Sequence, residues 1–325
     1  MADETGFAEA AEPLRREILA HCYRMLGSGA DAEDAVQETY LRAWRGFDGF
    51  EGRASMRTWL HQIATNVCLR SLERAQKGRR VLPAGLDDPT TDWVARARPA
   101  PAETRWVGPL PIDPADAAGT REQVRLAFVA ALQHLPAKQR AALLLRDVAD
   151  LPAEEVAEAL GMTRVAVNSA LLRARERISR EAPEPDELSE PGDAGLKAKL
   201  IRYVDAFERA DVGALAAVLR EDVTLEMPPH ATWFAGRDAV LGFLGTRVLR
   251  EPGHFAVVTV APPANGQPTF ALYAREPGGG FAAHAVQVLD LAEGGVRRIH
   301  VFLQPELFPI FGLPVSLSAA RDLPS

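Results

Sequence analysis

The sequence predicts a multidomain protein in which two all-α segments precede a C-terminal α+β domain. Apolar residues recur at helical spacing in two separate stretches, and proline-rich linkers interrupt this pattern twice. The last third of the chain changes from one amphipathic helix to alternating apolar and polar residues. With 325 residues, the chain is long enough for two or three domains.

Shifts in composition give the domain boundaries. We expect a first helical domain at residues 8–77, a linker at 78–119, a second helical domain at 120–180, an acidic linker at 181–194 and the α+β domain at 195–318. The first linker contains LPAGLDDPTTDW and RPAPAET, and the second contains EAPEPDELSEPGD. Prolines and small polar residues at this density are typical of connecting segments.

The bulk composition excludes several classes of protein. The net charge is −7, but DNA contact depends on a local basic face and not on the total charge. Two cysteines, Cys22 and Cys68, are too few for a disulfide framework and form no CxxC pair, so we expect no metal site and no cofactor. No leader and no run of about eighteen apolar residues stands out, so we expect a cytoplasmic protein without membrane contact.

The stretch DAEDAVQETYLRAWRGF predicts an amphipathic helix with Asp31 as its N-cap. The side of this helix opposite its apolar stripe carries Asp34, Gln37, Glu38 and Leu41. Spacing alone leaves two interpretations open. The face that carries these four residues is either a solvated acidic face with one exposed leucine or a docking patch for a basic partner helix.

The next stretch, FEGRASMRTWLHQIATNVCLRSLERAQKGRR, is rich in arginine and contains Trp59. Cations that bind phosphates, together with flat rings that stack on unpaired bases, are typical of single-stranded DNA binding. The alternative is a core tryptophan surrounded by long cationic side chains whose charged ends reach solvent.

Together these two stretches resemble conserved region two of the sigma-70 family, in its extracytoplasmic-function group. The resemblance implies that the first helix docks on the clamp helices of the RNA polymerase β′ subunit through Asp34, Gln37, Glu38, Leu41 and Arg42. It implies that minus-ten promoter DNA is bound by Arg53, Arg57, Trp59, Gln62 and Asn66. Arg70 stands where relatives often carry an acidic residue, so the resemblance implies no promoter preference.

The stretch LPAEEVAEALGMTRVAVNSALLRARERI predicts a helix-turn-helix. Gly161 suits the C-terminal turn of the first helix, and Thr163 can cap the second. The second helix is strongly basic, as expected for a recognition helix in the major groove. A charged helix without a DNA role remains the alternative.

With the preceding LQHLPAKQRAALLLRDVAD, this motif resembles conserved region four of sigma factors, which reads the minus-thirty-five element and contacts the β flap. Carried over residue by residue, the resemblance implies DNA contacts by Thr163, Arg164, Asn168, Arg173 and Arg175. The segment from RRVLPAGL to Trp106 and its following prolines also resembles SigG-like members of the group, which carry a C-terminal extension.

The C-terminal segment predicts a helix followed by strands in an antiparallel sheet, with turns at APPANGQP, EPGGG and AEGG. It resembles SnoaL-like domains, whose cone-shaped α+β fold encloses a pocket. The resemblance implies a small-molecule ligand and makes His230, Trp233, His284 and His300 candidate pocket-lining residues. Histidines that satisfy hydrogen bonds in the core or at its rim are the alternative.

The order of these modules predicts an alternative sigma factor that binds core RNA polymerase and promoter DNA and has no catalytic residues of its own. Its C-terminal domain would regulate promoter use. Two other classes stay open from the residues. One is a stand-alone helix-turn-helix regulator that binds an operator without polymerase, and the other carries an active cyclase or isomerase as its C-terminal domain.

Overall fold

The computed structural model describes residues 4–52, 54–75, 78–92, 94, 97–112, 125–181 and 194–318. The chain divides into two compact units. The first unit comprises the chain up to Arg80 together with Arg105–Pro183, and the second comprises Val81–Thr104 together with the chain from Glu184 onward. The linker between the helical segments is therefore shared between the two units.

The first helical segment contains α1 (Glu4–Ala11), α2 (Arg15–Leu26), α3 (Gly29–Gly46) and α4 (Met56–Ala75). Helices α2, α3 and α4 pack around buried Tyr23, Val36 and Leu60. The predicted N-cap of α3 is wrong. Ser28 is the cap, because its hydroxyl accepts a hydrogen bond from the backbone N–H of Asp31 (3.3 Å).

The second helical segment contains α5 (Leu126–Leu132), α6 (Ala137–Leu143), α7 (Ala153–Leu160) and α8 (Arg164–Glu181). Helix α6 continues into a π-helical turn at Leu144–Val148. Gly161 ends α7 in the left-handed region at φ 59°, as its sequence position predicts. Among the described residues, no helix has the length and apolar character that a membrane span requires.

The two helical segments pack against each other within the first unit. Arg140 of α6 is buried, and its guanidinium donates hydrogen bonds to the carbonyl oxygens of Met25 and Leu135 and to the side-chain oxygen of Gln133. Burial lowers the pKa of Arg140 to about 10, so the guanidinium remains charged at neutral pH. The hydrogen bonds of the Arg140 guanidinium therefore connect the C-terminal end of α2 to the second helical segment.

The second unit contains helices α9 (Ala194–Glu208), α10 (Val212–Ala216) and α11 (Arg237–Phe243) and a seven-stranded sheet. The strands are β1 (Leu219–Glu226), β2 (Trp233–Ala235), β3 (Phe255–Thr259), β4 (Thr269–Arg275), β5 (Phe281–Ala292), β6 (Gly295–Phe302) and β7 (Ser316–Leu317). The order is β2-β1-β6-β5-β4-β3, and β7 pairs with β5. The prediction of a purely antiparallel sheet is wrong, because β1 and β6 are parallel.

One face of this sheet packs on the helices and forms an apolar core. Tyr203 and Phe207 of α9 and Phe243 of α11 are buried there with Leu225 and Ile299 from the central strands. The opposite face carries the intervening residues of the same strands, because successive side chains alternate across a sheet. The helix-facing side thus carries a core of mainly apolar side chains.

Gly295, at the start of β6, permits the close approach of β6 to the residue that precedes β1. Its φ is +147°, and a Cβ atom there would lie 2.3 Å from the carbonyl oxygen of Val218. The neighbouring Val296 N–H donates to that same oxygen (2.9 Å). A side chain at position 295 would therefore push apart the parallel pairing that brings β1 beside β6.

Candidate functional site

The outer face of α3 carries the predicted docking residues. Asp34 and Gln37 are exposed, and Leu41 is 41% exposed. Glu38 and Arg42 form an ion pair one helical turn apart (2.6 Å). Trp44, 39% exposed, extends the patch, although the sequence reasoning missed it. The available signal was its position three residues after Leu41, which places both side chains on one helical face.

The predicted minus-ten residues lie at the start of α4, apart from Arg53, which falls outside the described residues. The half-buried ring of Trp59 stacks on Phe50, with ring centroids 4.7 Å apart. Asn66 is exposed, and its side-chain amide donates to the carbonyl of Gln62 (3.0 Å). Two turns of α4, from Trp59 to Asn66, thus carry polar groups and one member of a stacked aromatic pair.

Arg57 has a different environment from the one expected of a DNA contact. Its Nε atom donates to Oε1 of Glu17 (2.6 Å), and its Nη1 atom donates to the carbonyl oxygen of Ala149 in the second helical segment (2.7 Å). This guanidinium therefore holds the two helical segments together in the structure.

A buried histidine pair lies beneath Arg57. His61 bonds to Oε1 of Glu17 (2.8 Å), His21 bonds to Oγ1 of Thr65 (2.8 Å), and the two rings meet edge to face. Burial lowers the pKa of both histidines, that of His21 strongly. Burial also opposes ionisation of Glu17, but the hydrogen bonds and charges of His61 and Arg57 lower its pKa below the usual value.

The helix-turn-helix forms as predicted. The Thr163 hydroxyl accepts from the backbone N–H of Ala166 (3.2 Å) and caps α8. The predicted DNA contacts Arg164, Asn168 and Arg173 are exposed, and Arg164 also pairs with Glu154 (2.9 Å).

Arg175 is also engaged within the helical unit. Its guanidinium donates two hydrogen bonds to the carboxylate of Asp147 (2.8 and 2.6 Å). These bonds to the carboxylate raise the pKa of Arg175. A phosphate contact by this side chain would compete with that ion pair.

The linker residues of the second unit lie against its sheet. The backbone N–H of Ala84 donates to Oε2 of buried Glu226 (3.0 Å), and Nε1 of Trp233 donates to the carbonyl oxygen of Asp87 (2.7 Å). Trp233 on β2 is the register partner of Glu226 on β1, so one row of the sheet holds this part of the linker. We call the side of the sheet that carries this row the linker-binding face.

A second stretch of the linker pairs with the loop between β1 and β2. The Arg98 backbone N–H donates to the hydroxyl of Thr232 (2.7 Å), and its carbonyl oxygen accepts from Ala231 (2.9 Å). Pro99 then forms an isolated antiparallel bridge with His230. Two of the predicted pocket residues, His230 and Trp233, therefore contact the linker.

His300 continues the row of the linker-binding face onto β6, where it is the register partner of Glu226. It is 1% exposed, and its Nδ1 and Nε2 atoms lie 3.6 Å from Glu226 and 3.7 Å from Asp290. Neither ring nitrogen has a hydrogen-bond partner. The carboxylates lie at opposite ends of the ring, and within the described residues no group of three His, Cys, Asp or Glu side chains can hold a metal ion.

The fourth predicted pocket residue, His284, is exposed on β5 and lies beside the ring of Phe255 (5.4 Å between centroids). Partial desolvation of its ring by the neighbouring side chains, followed by repulsion from His254, lowers the pKa of His284. A surface groove of about 630 Å³ lies elsewhere, between Arg220, Asp222 and Arg237. The four predicted residues therefore do not line this groove.

Models of known protein families match all three folded segments. The model for Sigma-70 region 2 matches residues 11–78, that for Sigma-70 region 4 matches residues 125–178, and that for a SnoaL-like domain matches residues 200–299. These matches cover both helical segments and most of the C-terminal sheet domain.

Individual proteins are also similar over nearly the whole chain. The ECF RNA polymerase sigma factor SigG of Mycobacterium tuberculosis is 45% identical over 97% of this chain and 86% of the relative. SigJ of the same organism is 29% identical over 91% of each chain. A crystal structure of SigJ has the same fold, with a TM-score of 0.59 at 23% identity, over 95% of this chain and 99% of that one.

Proposed function

Because the chain belongs to the extracytoplasmic-function RNA polymerase sigma factors, we propose that it binds core RNA polymerase and promoter DNA in the cytoplasm. Its SnoaL-like domain restrains this activity by holding the linker between the two helical segments. The observation that carries the second half of the proposal is the attachment of Val81–Thr104 to the sheet domain.

The distance between the two promoter elements indicates that the two helical segments separate from each other before both elements are bound. The minus-ten and minus-thirty-five elements lie about 25 base pairs apart, which is about 85 Å of duplex at 3.4 Å per base pair. Helices α4 and α8, with 20 and 18 residues, are each about 30 Å long. The helical segments cannot reach both elements while Arg57 and Arg140 hold them together, so they must separate first.

Release of the linker supplies the necessary reach. The 24 residues from Val81 to Thr104 span up to ~80 Å when fully extended. While they are bound to the sheet domain, that length is not available to the helical segments. Docking of the linker therefore favours the closed arrangement, and undocking favours engagement of the promoter.

We propose further that the chain is not an enzyme, because binding alone accounts for the activity of a sigma factor. The side-chain contact of Trp233 supports this, since its indole N–H donates to the linker. The helix-facing side of the sheet carries a core made mainly of aromatic and aliphatic side chains.

Co-elution with core RNA polymerase tests the first half of the proposal. The double variant Asp34→Arg/Glu38→Arg reverses the charge of the patch on α3 and should abolish co-elution. The double variant Glu221→Arg/Asp238→Arg makes the same change in net charge at exposed positions of the sheet domain and should co-elute like the wild type. The proposed polymerase interface would be rejected if the α3 variant co-eluted with core polymerase, or if the wild-type protein did not co-elute with it.

Transcription by the reconstituted polymerase tests the second half. Thr232→Val removes the hydroxyl that accepts from Arg98, and Thr232→Ser keeps it. One lost hydrogen bond of about 1 kcal/mol shifts linker docking about fivefold toward release, so the valine variant should form open promoter complexes at lower concentration. Equal activity of both variants would show that the linker contact does not restrain the protein.

A further inference from the structure

The recognition helix α8 exposes an unexpected apolar stripe. Val165 is 76% exposed and Leu172 is 71% exposed, whereas Val167 and Leu171 are buried in the helical unit. Residues seven apart differ by only about 20° around a helix, so Val165 and Leu172 share one line on its surface. That line lies opposite the buried face of α8. Two branched apolar residues thus occupy the part of the helix that projects furthest into solvent.

Basic side chains flank the stripe on both sides. At 100° per residue, Arg164 and Arg175 lie on one flank of the stripe, and Arg173 and Arg180 lie on the other. All four arginines are exposed. A helix with cations along both edges is complementary to the major groove of duplex DNA, whose walls are rows of phosphates.

This arrangement determines which side chains face the bases. A recognition helix places its N-terminal residues against base edges in the floor of the groove, and residues on its flanks lie near the backbone. Val165 lies in the first turn of α8 and in the centre of the projecting surface. Leu172 lies about 10 Å further along the axis, at 1.5 Å per residue, and so further from the bases.

The ion pairs of the flanking arginines agree with this division of roles. Arg164 is bound to Glu154 and Arg175 to Asp147, so each guanidinium is held at the side of the helix. A guanine contact would require Arg164 to leave its carboxylate and turn toward the centre.

We propose that Val165 is a specificity-determining residue that contacts the 5-methyl group of a thymine in the minus-thirty-five element. The thymine methyl is the one apolar group that a base pair presents in the major groove, and apolar side chains recognise it. Asn168, exposed one turn later, has the amide that pairs with adenine N6 and N7. The first turns of α8 thus select A·T pairs. This inference rests on the proposed function, since it assumes that α8 enters promoter DNA.

Replacement of thymine by uracil tests the contact, because it removes only the methyl group. The full-length protein with core RNA polymerase first selects its preferred minus-thirty-five sequence from a randomised duplex pool. Each thymine of that sequence is then replaced singly by deoxyuracil. Wild-type protein should lose affinity about fourfold at one position, the loss that corresponds to burial of one methyl-sized group. Val165→Ala, which removes both γ-methyl groups, should lose most of this difference.

Three variants serve as controls. Val165→Thr retains one methyl group and should retain part of the discrimination. Leu172→Ala removes an apolar side chain from the same stripe and should leave the thymine-to-uracil ratio at its wild-type value. Ile201→Ala is the matched truncation of an exposed branched residue outside the helical unit, since Ile201 is 63% exposed on α9, and should also leave that ratio unchanged.

The outcomes separate this inference from the function on which it rests. A uracil effect that is mostly lost in Val165→Ala supports the contact. No uracil effect at any position, or one of equal size in Val165→Ala, overturns the contact while sequence selection by the polymerase complex still supports the proposed function. Failure of the wild-type protein to join core polymerase or to select a sequence would overturn both.

Discussion

Removal of the Glu226 carboxylate should release the first part of the linker. Glu226 is 5% exposed and accepts the backbone N–H of Ala84 (3.0 Å). A hydrogen bond to a charged group contributes about 1.5–3 kcal/mol. Because 1.4 kcal/mol is a factor of ten, Glu226→Ala should shift the docking equilibrium of this segment about 10- to 100-fold toward the released form.

Hydrogen exchange measured by mass spectrometry would detect the release directly. Peptides that cover residues 81–92 should exchange about 10- to 100-fold faster in Glu226→Ala than in the wild type. Glu221→Ala is the matched control, because Glu221 lies on the same strand, its side chain is 90% exposed, and its nearest cation is Arg237 at 3.5 Å. Its linker peptides should exchange at the wild-type rate.

Local release must be distinguished from unfolding of the sheet domain, because Glu226 also lies beside buried His300. Hydrogen exchange of peptides from β5 reports whether the sheet domain as a whole stays folded. The variant Glu226→Gln keeps the size of the side chain and one acceptor oxygen. We expect β5 to stay protected in both variants and the glutamine variant to show a smaller linker effect. Linker exchange within twofold of the wild type in Glu226→Ala, with β5 protected, would refute the role assigned to this carboxylate.

Three further predictions concern the helical unit. Arg140→Met leaves buried carbonyl oxygens without a hydrogen-bond donor, so the free energy of unfolding measured in urea should fall by about 3 kcal/mol. The control Arg173→Met, at an exposed site, should change the free energy of unfolding by less than about 0.5 kcal/mol. Burial lowers the pKa of His21 below its unfolded value of 6.5, so protons bind the unfolded state preferentially and the free energy of unfolding should fall as the pH drops below about 6.5. In His21→Gln, the free energy of unfolding should depend less on pH between pH 7.5 and 5. The same pH dependence in this variant and in the wild type would contradict the argument. Thr163→Ala removes the cap of α8 and should cost about 1 kcal/mol in the same urea assay, while Thr163→Ser should cost almost nothing.

Features encoded by neighbouring residues could be predicted from the sequence. The helix-turn-helix follows from Gly161 and Thr163, which act within one turn of their own position. Strands β3 to β6 follow from period-two alternation, and the exposed stripe of α3 follows from helical spacing. The cap of α3 was misassigned because Ser28 and Asp31 are both good caps, and which one acts depends on where the chain leaves the preceding turn.

Pairings between distant residues could not be predicted. Arg57 meets Ala149 across 92 positions, and Ala84 meets Glu226 across 142. No local pattern specifies either contact, and the parallel pairing of β1 with β6 is equally non-local. The predicted pocket residues are an example of such distant contacts. His230 and Trp233 were chosen as polar groups in a pocket fold, and the structure places them against a segment about 140 positions earlier.

The division of the linker between the two units has a consequence for control in the cell. In the proposed mechanism the restraint is part of the same molecule as the activity, so its effective concentration is fixed by the chain and not by synthesis of a second protein. Raising the amount of this protein therefore raises the number of restrained molecules without changing the restrained fraction. A separate inhibitor must be matched in stoichiometry to its target and can be outnumbered or diluted. Under the proposed mechanism, a stimulus must act on the linker contact itself to change the fraction of active molecules.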